Sequence, residues 1–195
     1  MKSINPKLWI RLFVIVIALA AVSCLPDTSD DLDVEGTEVL MSRHDNRAEE
    51  ITDIAAQNRL LAAVHRATAK YQRVEEALAD GYAPASPCVY APGVGAMGVH
   101  YVNFSLVDGE HDPLRPEALL YEPKNGRMNL VGVEYIMVAA LMEDGSKAPM
   151  FGQLKMDDHL HGAPLGFPHY QLHVWLWKNN PAGMYTPYNP KVSCE

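Results

Sequence analysis

The chain has 195 residues, a formal net charge of −8 at pH 7 and 48% hydrophobic residues. This length is sufficient for one domain with a substantial core. The acidic balance argues against nucleic acid as a partner and against retention on anionic lipid by charge alone, and it is compatible with cation binding.

The first 23 residues have the pattern of an export signal. A basic leader precedes an apolar run, 12–22, that is short for a membrane span. This segment ends with Ala21-Val22-Ser23, and Cys24 follows. The four residues resemble the lipobox of bacterial lipoproteins. That resemblance implies cleavage before Cys24 and lipidation of its thiol, with an ordinary secretory signal or an uncleaved anchor as the alternatives.

Lipidation at Cys24 would attach the protein to the membrane outside the cytoplasm. We therefore expect a location in the bacterial cell envelope. The residue after Cys24 is Leu25 rather than an aspartate, which favours the outer membrane if the cell is Gram-negative.

The remaining chain is predicted to contain a tether and one domain. Residues 24–45 are rich in acidic side chains and poor in large apolar ones, which predicts a disordered acidic tether. Residues 46–195 are predicted to form a single α+β domain that begins with a helix over 47–80. The apolar positions of that helix are spaced by three and four residues, as one amphipathic stripe requires. They are Leu60, Val64, Ala67, Tyr71, Val74 and Leu78.

Four β-strands are predicted after the helix, because short apolar runs alternate with turn residues. Asn125-Gly126 predicts a type I′ hairpin between the second and third strands. The predicted fold is therefore α+β, a long N-terminal amphipathic helix packed on a curved four-stranded antiparallel sheet. The predicted strands span 99–106, 118–122, 130–140 and 169–177.

The fourth strand carries two histidines on one face, His169 and His173, together with Trp175 and Trp177. At about 3.3 Å per residue the two imidazoles lie roughly 13 Å apart, too far to share one ion. Ligand partners for His173 must therefore come from other strands.

His100 and Glu134 are the best partners, because each faces inward from an otherwise apolar strand. Two imidazoles and a carboxylate suit Zn²⁺, Fe²⁺ or Mn²⁺, and Cu²⁺ is less favoured. We predict a divalent metal site formed by His100, Glu134 and His173, with ordinary buried residues that satisfy one another as the alternative. Whether the site is catalytic stays open.

Glu117 is a further candidate, because counting back from the hairpin places it opposite Glu134. In that position it would be a metal ligand or the general base for a water that the metal activates. A bulge or a slip of one residue would abolish this pairing.

A second hypothesis belongs to a different class, a non-catalytic module that binds a small apolar or aromatic ligand. A third is an aromatic surface for a protein partner in the envelope. The residues expected to line the ligand pocket are Tyr101, Tyr135, His169, Trp175 and Trp177.

Two cysteines remain in the mature chain, Cys88 and Cys194. Cysteines of an exported protein usually pair, because the compartment is oxidising. We predict a disulfide between them, with two free thiols as the alternative.

Three stretches and the C-terminus resemble an uncharacterised group of exported bacterial proteins, described as hypothetical lipoproteins. The stretches are 98–103, 131–135 and 172–177, and the chain end matches at 189–194. The resemblance covers roughly residues 65–195. It implies export but no activity, and it supplies no catalytic residues.

Overall fold

The structure is a computed structural model that describes residues 34–161 and 164–194, with side chains described at residue 43 and from residue 46 onward. The predicted leader, Cys24 and the first part of the tether lie outside the described residues. The chain divides into two compact units, Met1–Met41 and Ser42–Glu195, and the site lies in the second. No helix in the described ranges is long and apolar enough to cross a membrane.

The domain is mostly β-structure. Helix α1 spans Val34–Thr68, a 3-10 turn follows over Ala69–Gln72, and a short helix α2 spans Val74–Ala79. A second 3-10 turn spans Ala139–Leu141. The described strands are β1 (Ala83–Pro84), β2 (Val89–Ala91), β3 (Gly95–Val102), β4 (Ala118–Lys124), β5 (Arg127–Val138), β6 (Met150–Phe151), β7 (Leu154–Lys155), β8 (Asp157–His159) and β9 (His169–Val174).

The predicted fold class, a long amphipathic helix on a four-stranded sheet, is wrong. Among the described side chains of α1 only Val64 and Thr68 are buried, and Ile51 is 59% exposed. Most of α1 therefore does not cover the sheet. The predicted helix also ran too far along the chain. The spacing of the apolar residues is the same on both sides of Thr68, but α1 ends there, and the 3-10 turn and α2 are separate elements.

The main sheet has seven antiparallel strands in the order β1-β3-β4-β5-β9-β8, and β2 also pairs with β3. Strands β6 and β7 form a separate two-stranded sheet. The four stretches predicted as strands correspond to β3, β4, β5 and β9, which are neighbours at the centre. The strands that the sequence did not predict are two or three residues long, too short to show an alternating pattern.

The β4–β5 hairpin forms as predicted at its turn. Lys124 pairs with Arg127, and the two residues between them have positive φ angles, 54° at Asn125 and 73° at Gly126. Positive φ at both central positions defines the type I′ turn, which matches the twist of the flanking strands.

A bulge changes the register further along this hairpin. The pairing of β4 with β5 shifts by one residue between Leu120 and Tyr121, so that Ala118 lies opposite Glu134. The predicted pairing of Glu117 with Glu134 is therefore wrong. Because side chains alternate along a strand, the shift directs Glu117 and Glu134 to opposite faces of the sheet.

The two faces of the sheet bury different kinds of residue. One face forms the main apolar core with Val64 of α1 and Tyr71 of the 3-10 turn. The opposite face carries two smaller apolar clusters, around Trp175 and around Ile136, and between them the ionisable residues of the candidate site. The sheet residues of the main core include Tyr101, Leu119, Tyr121, Val133, Tyr135, Leu172 and Val174.

Cys88 and Cys194 form a disulfide that joins positions 106 residues apart, which confirms the predicted pairing. The bond connects the segment before β2 to the C-terminal segment. A structural disulfide is consistent with a location outside the cytoplasm.

Candidate metal centre

Three strands of the sheet contribute one ionisable side chain each to a single cluster. Glu134 of β5 pairs directly with His173 of β9, so their side chains share a face. His100 comes from β3, on the far side of β4. Ala118 lies opposite Glu134 on that intervening strand, and it packs with Val102 and Ile136.

A glycine two residues before His100 shapes the strand that carries it. Gly98 has a φ of +91°, and a Cβ atom there would lie 2.4 Å from the carbonyl oxygen of Tyr121. Only glycine adopts this conformation readily and tolerates so close an approach. Gly98 therefore allows β3 to bend against β4 immediately before His100.

The distances within the cluster are longer than those of ordinary hydrogen bonds. Nε2 of His100 lies 3.4 Å from Oε2 of Glu134, and Nε2 of His173 lies 3.6 Å from Oε1 of the same carboxylate. Hydrogen bonds of this kind are normally about 2.7–3.2 Å long. Ligand atoms about 2.0–2.1 Å from a tetrahedral ion lie about 3.3–3.4 Å apart. All three candidate ligand atoms lie within 4.8 Å of one another, so the cluster can hold a metal ion.

His173 is the least satisfied member of the cluster. Its side chain is 1% exposed, and neither ring nitrogen has a hydrogen-bond partner among the described residues. Each buried polar atom left without a partner costs about 1–3 kcal/mol. An ion bound at one nitrogen would remove part of this cost.

Ser86 contacts both the backbone and the ring of His100. Its hydroxyl donates to the carbonyl oxygen of Pro87 at 2.8 Å and accepts from the backbone N–H of His100 at 3.0 Å. The same oxygen lies 3.0 Å from Nδ1 of His100. If the single hydroxyl proton is donated to Pro87, Nδ1 of His100 is the donor in this contact. Nε2 is then unprotonated and directs its lone pair towards the cluster, as a metal ligand requires.

Burial shifts all three side chains towards their neutral forms. Desolvation lowers the pKa of His100 to about 4 and the pKa of His173 to about 3. Desolvation, with a smaller contribution from the charge of Glu117, raises the pKa of Glu134 to about 8. Without an ion, the cluster at pH 7 therefore holds two neutral imidazoles and a protonated carboxyl group. The imidazoles are ready to bind a metal, and the carboxyl group must first release a proton.

The cluster opens onto a cavity of about 440 Å³. Most of the cavity wall is apolar, and Phe104 and Leu165 are exposed residues of its lining. The buried and half-buried apolar residues that line it include Val89, Met97, Val102, Val107, Ile136 and Phe167. A ligand of the ion would therefore enter a partly open and largely apolar space.

Glu117 does not reach this cavity. It lines a separate cavity of about 70 Å³, with Asp108, His111 and Asp112 among its neighbours. Its Oε2 accepts a hydrogen bond from the backbone N–H of Ile136 at 3.0 Å, and burial raises its pKa to about 8. The predicted role of Glu117 as a ligand or base of this site has no geometric support.

The aromatic residues predicted to form a ligand pocket do not line the cavity. Tyr101 and Tyr135 belong to the main core on the opposite face of the sheet. The indole N–H of Trp175 donates to the carbonyl oxygen of Thr186, and Trp175 packs in a separate cluster.

Two further residues of the predicted pocket are engaged elsewhere. Trp177 lies beyond the end of β9 and stacks on the ring of His65 in α1 at 3.7 Å. His169 is buried with a polar neighbour at each ring nitrogen: the carbonyl oxygen of Phe167 lies 2.8 Å from Nδ1, and Oε1 of Gln171 lies 3.2 Å from Nε2. His169 therefore has polar partners within the domain, in contrast to His173.

Sequence reasoning missed two loop residues that line the site, Ser86 and Phe167, whereas Phe104 falls in the predicted strand 99–106 on the face of His100. The only local signal for Ser86 was its place in a Pro-rich loop after the helix, which does not specify a partner fourteen residues away.

No known protein family, curated protein or solved structure matches this chain.

Proposed function

We propose that this protein binds a divalent metal ion through His100, Glu134 and His173, with the ion facing the apolar cavity. The observation that carries the proposal is the buried imidazole of His173, whose nitrogens have no hydrogen-bond partner among the described residues and whose Nε2 lies 3.6 Å from the buried carboxylate of Glu134. Histidine and carboxylate ligands in this ratio suit Zn²⁺, Fe²⁺ or Mn²⁺.

The proposed site resembles catalytic rather than structural metal centres in its number of ligands. Structural zinc sites are closed by four protein ligands, whereas three ligands leave a position open. When bound, an ion with an open position would act as a Lewis acid towards a ligand in the cavity. On this argument we propose a metal-dependent enzyme, with the protein supplying a largely apolar cavity around the open position.

Elemental analysis of the purified protein and calorimetric titration with Zn²⁺ test the metal site. We expect one ion per chain. Glu134→Gln should weaken zinc binding by about 100-fold or more, since the effect of a lost ligand exceeds that of a lost outer partner. Glu117→Gln is the matched control, because it removes the other buried carboxyl group whose pKa is about 8 and should leave zinc binding unchanged. A protein that takes up none of Zn²⁺, Mn²⁺ and Fe²⁺ would exclude the proposal.

The cavity itself favours a second candidate function, a non-catalytic module that binds a small apolar molecule. Its volume of about 440 Å³ lies within the usual range for ligand pockets. The two candidates differ in their response to a chelator, since a purely apolar pocket would bind its ligand equally well after metal removal.

We also propose that a lipid on Cys24 anchors the protein in the bacterial cell envelope. The lipobox-like sequence supports this, and the disulfide agrees with an oxidising compartment. Metabolic labelling with radioactive palmitate tests the anchor. The wild-type protein should incorporate label, and Cys24→Ser should not.

A further inference from the structure

The cavity above the cluster differs in polarity between its floor and its walls. Its ionisable side chains are the three members of the cluster and Tyr188, and the rest of the lining is mostly apolar. Val102 and Ile136 belong to one apolar cluster beside Glu134, and Phe104 is 70% exposed. Such a space favours a molecule that has one polar end at the ion and an apolar body along the walls.

Charge balance defines the polar end. Imidazoles coordinate metals in their neutral form, so a divalent ion held by two imidazoles and by the carboxylate of Glu134 would leave one net positive charge in the buried site. No lysine or arginine occurs among the described residues that line the cavity. An unbalanced charge in an apolar site is costly, and a single negative charge on the ligand would neutralise it.

We infer that the cavity binds a small amphiphile, with a monoanionic oxygen group on the metal ion and an apolar chain or ring against Val102, Ile136 and Phe104. This inference rests on the proposed metal site and specifies the class of molecule that occupies it. The ligand class is that of a medium-chain carboxylate, whether it is free or part of a larger molecule.

Binding of octanoate, acetate and 1-octanol to the zinc-loaded protein tests the inference by calorimetry. Acetate keeps the head group and lacks the body, and 1-octanol keeps the body and lacks the charge. Each methylene group that leaves water contributes about fourfold to affinity. Burial of half of the additional methylenes of octanoate would therefore make it roughly 60-fold tighter than acetate. We expect octanoate to bind at least about tenfold more tightly than 1-octanol, and this difference to disappear without zinc.

Two exposed apolar residues provide a matched pair of variants. Phe104→Ala should weaken octanoate binding by about three- to tenfold without changing acetate binding, because only the longer ligand reaches the wall. Leu141 is similarly exposed, 64% against 70%, and does not line the cavity. Leu141→Ala should therefore change neither affinity. Neither substitution removes a buried side chain, so both variants should fold.

Each contrary result identifies the part of the inference that is wrong. Equal affinities for octanoate and acetate would overturn the apolar body, and equal affinities for octanoate and 1-octanol would overturn the anionic head. Octanoate binding of the same strength with and without zinc would overturn the role of the ion. Zinc uptake is measured first and separately. A protein that takes up no zinc would refute the proposed metal site, and this inference with it.

Discussion

Replacing His173 by leucine should stabilise the metal-free protein, although it alters a fully buried residue. The imidazole has two ring nitrogens without hydrogen-bond partners, and each costs about 1–3 kcal/mol. Leucine removes both and fills a similar space, at a packing cost of up to about 1.5 kcal/mol. We expect a net gain of about 1–3 kcal/mol in the free energy of unfolding, measured by urea denaturation at pH 7 with a chelator present.

Zinc should reverse this order of stability. At a free zinc concentration about 1,000-fold above its dissociation constant, the wild-type protein gains about 4.1 kcal/mol, because the ion binds only the folded state. His173→Leu lacks a ligand and should gain little at the same concentration. The wild-type protein would then be the more stable of the two, and the same comparison can be made by thermal unfolding.

His169 provides the matched control, since it is buried on the same strand and each of its ring nitrogens lies within hydrogen-bond distance of a polar neighbour. His169→Leu should lose about 1–3 kcal/mol, because it leaves its former partners unsatisfied, and it should keep the full response to zinc. The reasoning is refuted if His173→Leu destabilises the metal-free protein as much as His169→Leu does. The nitrogens of His173 would then be satisfied within the folded protein, without an ion.

Three further predictions concern the pH dependence of metal binding, the support of His100 and the disulfide. Because the pKa of Glu134 is raised to about 8, its carboxyl group is protonated at lower pH, and metal binding must displace that proton. Zinc affinity should therefore rise about tenfold per pH unit from about pH 6 to 8. Calorimetry in two buffers of different ionisation enthalpy should show one proton released per ion bound. An affinity that does not change with pH would contradict the raised pKa. Ser86→Ala removes the hydroxyl that contacts Nδ1 of His100. It should weaken zinc binding by about 10- to 100-fold in the same titration. An unchanged affinity would show that the hydroxyl does not support the ligand. Cys194→Ser opens a loop whose ends lie 106 residues apart. In urea denaturation it should lower the free energy of unfolding by up to about 4.7 kcal/mol. An unchanged midpoint would show that packing alone holds the C-terminal segment.

The sequence by itself determined which residues could form the candidate site. Alternation along three apolar strands placed His100, Glu134 and His173 facing inward, and the rise per residue separated His173 from His169. Asn125-Gly126 specified the type I′ turn, because both residues tolerate positive φ. Each of these features depends on neighbours within a few residues, so each could be predicted from local pattern.

Only the tertiary structure decided which residues complete the site and which do not. One bulge in the β4–β5 hairpin moved Glu117 away from Glu134, because a shift of one residue reverses the face of every side chain before it. The helical stripe was misleading because its spacing persists across a break at Thr68. Ser86 and Phe167 enter the site from loops, and their positions depend on long-range packing that no local period encodes.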